Sequence, residues 1–557
     1  MKILKLRIFY TGGLLKMSNF GKGGVKQAQL LDCTLRDGAY LVNKTFGDKT
    51  IRGVIKSLVE AKIDIIEIGF LQNDGFGEGV VVFRTPSDAN KYIPQHRKYS
   101  KFALMADFSR YNFENLEKYQ DHQSIEIIRL CFFKHERYEA LRIAKDIVDK
   151  GYRVCIQPVD VLGYSDQELL EVILLSNEIK PYLFSIVDTF GSMYLEDLQR
   201  IFTLVNHNLY KQCKMGFHSH NNLQMSSALA QYFLKIAQLE REVVIDTTLN
   251  GMGRGAGNTP TELIALYMNA KLAYSYQMEA ILDSIDIYIS GLRSKCDWGY
   301  AIPYFITGAY HAHTNNILYL LEKSNISSKD LMNILSMLDA QKRKRYDYNL
   351  LENLYLEYMT TKYCMQDDIE KLEAYLKFKD IVILIPGKSL FKQSSKVLSY
   401  CEKANSLVIS VNFIDKKFKS DFVYMSNIKR YEYWENDLEF QKYPKILLSN
   451  IKQEDTKPNN FIIDINRVIK QGWNNLDNSV ILLLRLLDMF PINSIGLAGF
   501  DGYSLTENYF DEELEVQVSS TKVLQLNQEI KSMFEDYIRT RNSDFPIEFI
   551  TESQFQK

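Results

Sequence analysis

Between Gln29 and Thr248, eight short runs rich in β-branched and other apolar residues alternate with helix-length amphipathic stretches. The runs are QLLDCT, IDIIEIGF, KFALMADF, SIEIIRLCFF, YRVCIQPV, YLFSIVDTF, KMGFHSH and VVIDTTLNG. Between them Lys49–Ala61, Tyr138–Lys150, Asp166–Glu178 and Ser226–Gln238 carry apolar residues at helical spacing. Strand–helix alternation repeated eight times predicts a (β/α)8 TIM barrel, with a doubly wound sheet as the competitor. The polar residues favour the barrel. Arg36 and Asp37, Glu67, Asp107, Arg129, Gln157, Asp188, His218 and His220, and Asn250 are read at or just beyond the C-terminal ends of their strands. In a barrel those ends converge on one mouth.

A chain of 557 residues exceeds what one core usually organises, so a second domain is expected. Residues 1–28 read as an N-terminal extension, in which Met17 offers an alternative start, and residues 1–16 are left out of the fold argument. Residues 29–275 form the barrel and 276–377 a helical extension and linker, with the joint between domains at 340–378. The basic run KRKRYDY at Lys342–Tyr348 reads as a solvated helix face. From 378 to 557 a new alternation, DIVILIPGKSLF, SLVISVNF, DFVYMSN and SIGLAGFDGYS, predicts a smaller α/β domain of Rossmann-like type. There is no internal repeat and no low-complexity segment.

The formal charge of −2, without long basic or acidic blocks, argues against nucleic acid as a partner. Seven cysteines without a CxxC pair read as reduced thiols, and no stretch is long and apolar enough for a bilayer. With no export signal recognised at the N-terminus, a cytoplasmic protein is expected.

In the seventh run His218 and His220 share one face of the strand, with Ser219 opposite. An H-x-H pair alone is weak evidence for a metal. Asp37 on the first strand, close to the seventh around an eight-stranded barrel, strengthens it: two imidazoles and a carboxylate leave positions open for a chelating substrate on a divalent ion.

Three strings in order, DCTLRDG at Asp32–Gly38, HSHNN at His218–Asn222 and NGMGRGAGNTPTELI at Asn250–Ile264, carry a resemblance to the metal-dependent aldolase, lyase and synthase superfamily. That superfamily includes 4-hydroxy-2-oxovalerate aldolase, hydroxymethylglutaryl-CoA lyase and isopropylmalate synthase, and the resemblance spans roughly residues 28–315. It implies that Asp37, with His218 and His220, ligates the metal and that Arg36 steadies negative charge on a substrate oxygen. A cation and a guanidinium around one oxygen stabilise the enolate that cleavage beside a ketone generates. Mn2+ or Mg2+ is the expected metal, with Zn2+ or Co2+ as alternatives.

One position departs from that pattern. The aldolases carry a histidine base two residues after the R-D-G glycine, where this chain has Tyr40. With a reference pKa near 10, tyrosine is a poor base at neutral pH. Tyr40 is read as a hydrogen-bond donor, with the proton handled by another group such as His311 or His313, which on a helix would not point the same way. Gly253, Gly255 and Gly257 lack the dinucleotide-loop spacing and read as a close-approach loop over the mouth. Glu67, Asp188, Asn250 and Gly253 are candidates for substrate contact, or, for Glu67 and Asp188, for bracing Arg36 or simple structural bonding.

In the second domain IPGKS is not a P-loop, because the required glycine five residues before Gly387 is Val382. Its strands more distantly resemble the nucleotide-binding half of bacterial sialyltransferase-like folds. That resemblance implies a cytidine nucleotide or nucleotide-sugar held by Gly387, Ser389, Asn412, Asn427 and Asp501. Those transferases use a downstream histidine as base, and this chain has none after His313, so independent glycosyl transfer is not expected.

The leading expectation is a divalent-metal aldolase or lyase making or cleaving a C–C bond next to a 2-oxo acid, of the 4-hydroxy-2-oxo-acid type, with an aldehyde partner. Its setting would be surface polysaccharide or nucleotide-sugar metabolism, and its assembly a homodimer. The alternatives are a Claisen-type acyl-CoA/2-oxo acid synthase and a non-catalytic nucleotide-sugar-binding protein.

Overall fold

The structure is a computed structural model and describes residues 27–97, 99–120, 125–293, 295–323, 326–361, 368–451, 460–470, 472–474, 478–504, 508 and 520–556. The extension before residue 27 and Cys364 lie outside the described residues. The chain divides into two compact units, one ending at Thr314 and the other beginning at Asn315. The division falls inside the helical stretch 276–377, which contributes to both.

In the first unit β1 (Ala28–Asp32), β2 (Ile65–Leu71), β4 (Lys101–Asp107), β5 (Ile125–Phe132), β6 (Arg153–Pro158), β7 (Leu183–Asp188), β8 (Lys214–Ser219) and β9 (Val243–Thr247) are parallel neighbours. The sheet closes because β1 pairs with both β9 and β2. A two-residue strand, β3 (Val82–Phe83), is added on β2 outside that circuit. The eight strands of the closed circuit are the eight runs anticipated, and the architecture is that of a TIM barrel. Such strands are buried on both faces, which is why they read as nearly continuous apolar runs.

The alternation with helices is less regular than the sequence suggested. The short α1 (Thr34–Asp37) is followed by α2 (Asp48–Glu60), and β5 to β9 are followed by α3 (Arg137–Asp149), α4 (Asp166–Ile179), α5 (Leu195–Asn208), α6 (Ser226–Ala237) and α7 (Thr261–Leu272). After β2 and β4 there are only 3-10 turns, Pro86–Tyr92 and Phe113–Asn115. The glycine-rich QNDGFGEG after Leu71 costs too much backbone entropy to sustain a helix there. Elsewhere the local signals agree with the fold. The α2 residues Ile51, Val54, Ile55, Leu58 and Val59 form its buried stripe. Before α4 a capping box fixes the start: Glu168 N–H donates to Ser165 Oγ (3.2 Å) and Ser165 N–H to Glu168 Oε2 (2.8 Å).

Inside the barrel Leu31, Ile65, Ala103, Ile127, Cys155, Leu183 and Val244 form an apolar layer. Two residues further along, hence on the same inward face, come Cys33, Glu67, Met105, Arg129, Gln157, Ser185 and Asp246, all but Met105 and Cys33 polar. A closed apolar floor therefore carries a polar storey above it.

The second unit contains a seven-stranded, all-parallel sheet in the order β14-β13-β12-β11-β10-β15-β16. These are β10 (Asp380–Leu384), β11 (Ser406–Val411), β12 (Phe422–Met425), β13 (Lys445–Leu448), β14 (Asn460–Ile463), β15 (Ser494–Ala498) and β16 (Ile547–Phe549). Four were legible in the sequence. Strands β13, β14 and β16 span only three or four residues and show no period, whereas the equally short β12 stood out as the apolar centre of DFVYMSN. Among the described residues, no helix is long and apolar enough to cross a membrane.

Candidate metal-binding site at the barrel mouth

Six ionisable side chains in the polar storey and at the mouth form a closed ring. Arg36 Nε donates to Glu67 Oε2 (2.8 Å), and Arg129 Nη1 donates to the same oxygen (2.7 Å). Arg129 Nη2 pairs with Asp246 Oδ2, which also lies 3.1 Å from His218 Nδ1. His218 Nε2 faces Asp37 Oδ2 at 3.4 Å, and Arg36 Nη1 lies 3.0 Å from that oxygen and closes the circuit. All six are buried, Glu67 and Arg129 completely.

Two guanidinium groups thus face three carboxylates. Burial alone would push the Asp37 carboxyl up, but Arg36, then His220 and His218, hold it well below the usual carboxylate range. Asp246 is likewise raised by burial and brought down further by Arg129 and His218. Three carboxylates against two guanidinium groups leave the buried ring one surplus negative charge. Neither Asp37 oxygen has an aligned hydrogen bond, despite the ion-pair contact with Arg36. A buried carboxylate in that condition calls for a cation.

The imidazoles suit that demand. Asp246 Oδ2 accepts a hydrogen bond from His218 Nδ1–H, so the Nε2 lone pair points toward Asp37. His220 Nε2 lies 4.0 Å from the same Asp37 oxygen, and burial depresses its pKa to about 3, keeping the ring neutral and able to ligate. The His218 and His220 rings meet edge to face, with centroids 5.2 Å apart and planes at 83°. They are not parallel as the strand pattern implied, because β8 ends at Ser219 and His220 sits in an isolated bridge to Asn258. Cys33 Sγ, Asp37 and His218 also fall within 4.8 Å of one another. The Cys33 thiol donates to the Thr247 carbonyl at 3.3 Å, and burial pushes its pKa far up, so it stands beside the ligand set as a protonated thiol.

Arg129 and Glu67 are not at the mouth, as read from the sequence, but one storey down. Being inside β5 and β2 rather than at their ends, they brace Arg36 and Asp246. Gln157 is also inside and donates to Ser185 Oγ (2.6 Å). Asp188 accepts from Ser192 N–H (2.9 Å), Met193 N–H (3.3 Å) and Ser219 Oγ (3.1 Å), and burial raises it to about 6. These bonds place it in the loop scaffold. Asp107 pairs with Arg110 (3.4 Å).

Tyr40 is half-buried, its pKa raised by burial, with its ring edge-on to Phe70 (5.4 Å) and its face 3.9 Å beneath the Arg254 guanidinium. The raised pKa suits a donor and not a base. His311 and His313 lie in the turn between helices Ile302–Ala309 and Thr314–Leu321, not on a helix as the spacing was read. His311 is exposed. His313 is nearer the mouth, and burial, with Arg254, Arg110 and His220, lowers it to about 3.

The glycine loop is clamped over the mouth. A Cβ on Gly253 would meet Asn258 Nδ2 at 2.2 Å, and one on Gly257, whose φ is +82°, would meet Gly251 O at 2.0 Å. Ala256 N–H donates to Asn222 Oδ1 (2.9 Å), Asn221 N–H to Gly257 O (2.8 Å), and Trp298 Nε1 to Asn250 O (3.0 Å). Asn250, with φ +53°, therefore serves the loop through its backbone.

In the second unit the loops after β10 and β15 bring Gly387, Ser389 and Asp501 together. Asp501 accepts the Ser389 N–H (2.7 Å) and the Ser389 hydroxyl, so the carboxylate already takes the donors a phosphate would need. Asn412 follows β11 and bonds Ser479 (2.8 Å), while Asn427 caps the helix Ile428–Trp434.

Sequence reasoning missed Asp246, Cys33 and Arg254 as members of the site. A lone aspartate in the apolar run VVIDTT, two residues beyond inward-facing Val244, was the available signal for Asp246.

The family model described as HMGL-like matches residues 131–287. Over 290 residues the chain is 27% identical to an oxaloacetate decarboxylase of Mycobacterium tuberculosis, covering 51% of this chain and 82% of that protein. Over 286 residues it is 23% identical to a 4-hydroxy-2-oxovalerate aldolase of Geobacillus genomosp. 3, covering 48% and 79%. Among solved structures, the N-terminal domain of a Bacteroides vulgatus protein is 24% identical, covering 55% of this chain and 99% of that chain, with a TM-score of 0.48, too low to bear on function. Fold, ring and sequence relatives define an enzyme of the metal-dependent carbon–carbon lyase class.

Proposed function

We propose that the barrel cleaves, or in reverse forms, a C–C bond next to the ketone of a 2-oxo acid, giving a pyruvate-type product and an aldehyde. The observation that carries this reading is the surplus negative charge of the ring, focused on Asp37 oxygens that two imidazoles approach. Asp37, His218 and His220 would hold a divalent cation, which supplies Lewis-acid polarisation of the ketone and a seat for the adjoining carboxylate. Support also comes from relatives named oxaloacetate decarboxylase and 4-hydroxy-2-oxovalerate aldolase.

The protein's own groups divide the remaining work. Glu67 holds Arg36 through Nε, which fixes the plane of the guanidinium so that its remaining N–H groups can meet the oxygen that gains charge. Asp246 sets the His218 tautomer, and Arg129 holds Asp246 ionised. Arg36→Lys keeps the charge but loses the fork and the Glu67 bond. Turnover is expected to drop by about 10^2–10^3-fold with bound metal unchanged. Near-normal turnover in that variant would reduce Arg36 to a structural residue.

Tyr40→Phe keeps the ring beneath Arg254 and deletes only the hydroxyl. Loss of one hydrogen-bond donor should cost roughly tenfold in turnover, whereas loss of a general base would cost about 10^2–10^4-fold. Measuring kcat across pH 6–9 separates the two, and a drop in the larger range would make Tyr40 the base.

A further inference from the structure

Arg254 stands apart from the other arginines of the barrel mouth. Its guanidinium carbon lies over the Tyr40 ring, 3.9 Å from the centroid, and the residue is half-buried. Among the described residues no carboxylate pairs with it. Arg36 at the mouth and Arg129 below it, by contrast, each face two carboxylates, Asp37 and Glu67 for Arg36 and Glu67 and Asp246 for Arg129. Arg254 is also close enough to the ligand set for its charge to act on Asp37, His220, Tyr40 and His313.

The backbone that carries it is rigid. Gly253 and Gly257 leave no room for a Cβ, and Asn222 holds the neighbouring Ala256 N–H. An arginine on a clamped loop, laid on an aromatic platform and lacking an anionic partner, is a preformed carboxylate receptor. The charge balance agrees. One dication at Asp37 outweighs the ring's surplus negative charge, and the carboxylate of a chelating 2-oxo acid answers that excess, which leaves the Arg254 charge unmatched.

We infer that Arg254 binds a second anionic group of the substrate, so that the enzyme acts on 2-oxo acids with a further carboxylate remote from the ketone. This rests on the reading of the barrel as a 2-oxo-acid lyase. The residue is one that determines specificity: it holds the far end of the substrate while Arg36 and the ligand set hold the ketone end.

The test is calorimetric titration of the Mn2+-loaded full chain with two matched pairs, 2-oxobutyrate with oxaloacetate and 2-oxopentanoate with 2-oxoglutarate. Within each pair chain length is constant and only the distal carboxylate differs. At least one dicarboxylate is expected to bind about tenfold to a hundredfold tighter than its partner. In Arg254→Gln that ratio should fall to near one, and in Arg254→Lys to an intermediate value, with metal content and melting temperature as in the parent protein. Equal binding within both pairs, or a ratio that survives in Arg254→Gln, would overturn the assignment while leaving the lyase reading intact. Failure of all four acids to bind metal-loaded protein would overturn both.

Discussion

Alanine at Asp37 or at His218 is expected to give a folded protein that no longer retains a divalent cation and turns over less than about one-thousandth as fast. Asp37 sits on the short α1 at the mouth, above the apolar layer of Leu31, Ile65 and Ile127, so its side chain is not part of the packing that closes the barrel. Removing it deletes the surplus charge of the ring, and Arg36 keeps Glu67 as a partner. His218→Ala removes an Nε2 ligand and leaves Asp246 paired with Arg129. Metal analysis of the purified variants, beside their melting temperatures, checks this. Stoichiometric metal in both would mean that the ligands lie elsewhere.

The largest effect on stability is expected at Arg129, which makes no contact with the mouth. It is completely buried and bridges Glu67 and Asp246, so Arg129→Met removes a positive charge from two carboxylates in the barrel interior and leaves them only Arg36 and His218 as partners. Breaking a buried pair from one side costs about 3–5 kcal/mol, or roughly 6–20 °C in melting temperature for a unit of this size. Adding Glu67→Gln and Asp246→Asn neutralises those two groups, and most of the lost stability should return. Metal affinity should not, because His218 and Arg36 have then lost the partners that orient them, a loss of about 10–100-fold. Chemical denaturation of the single and triple variants, with metal titration of the triple, separates folding from orientation. Full recovery of metal affinity in the triple variant would remove the ring from the account.

How far the sequence reveals this arrangement depends on the range of the interaction involved. The eight barrel strands were visible because each is an apolar run whose character follows from burial on both faces, a local property. Asp37, His218 and His220 were visible through their strings and do converge on one carboxylate oxygen. The ring was not visible as a ring. Glu67, Arg129 and Asp246 lie on three strands separated by some 62 and 117 residues, and only barrel closure brings them together. Arg129 was read as a mouth residue because a charge in an apolar run is usually taken to mark its end, yet two partners from other strands allow it to sit in the middle. Arg254 was passed over for the glycines around it, since nothing local says that its side chain folds back onto Tyr40.

The central claim is metal-dependent carbon–carbon bond chemistry on a 2-oxo acid. Its most direct test is incubation of the purified full chain with a panel of 2-oxo acids and aldehydes, with Mn2+ or Mg2+ and with chelator, read by mass spectrometry. The account predicts a pyruvate-type acid and an aldehyde released from at least one 4-hydroxy-2-oxo acid, or their condensation product in the reverse direction. It predicts that the activity is abolished by chelator and by Asp37→Ala. Turnover that persists without a divalent cation, or product formation with concomitant release of free CoA only when an acyl-CoA is supplied, would contradict it.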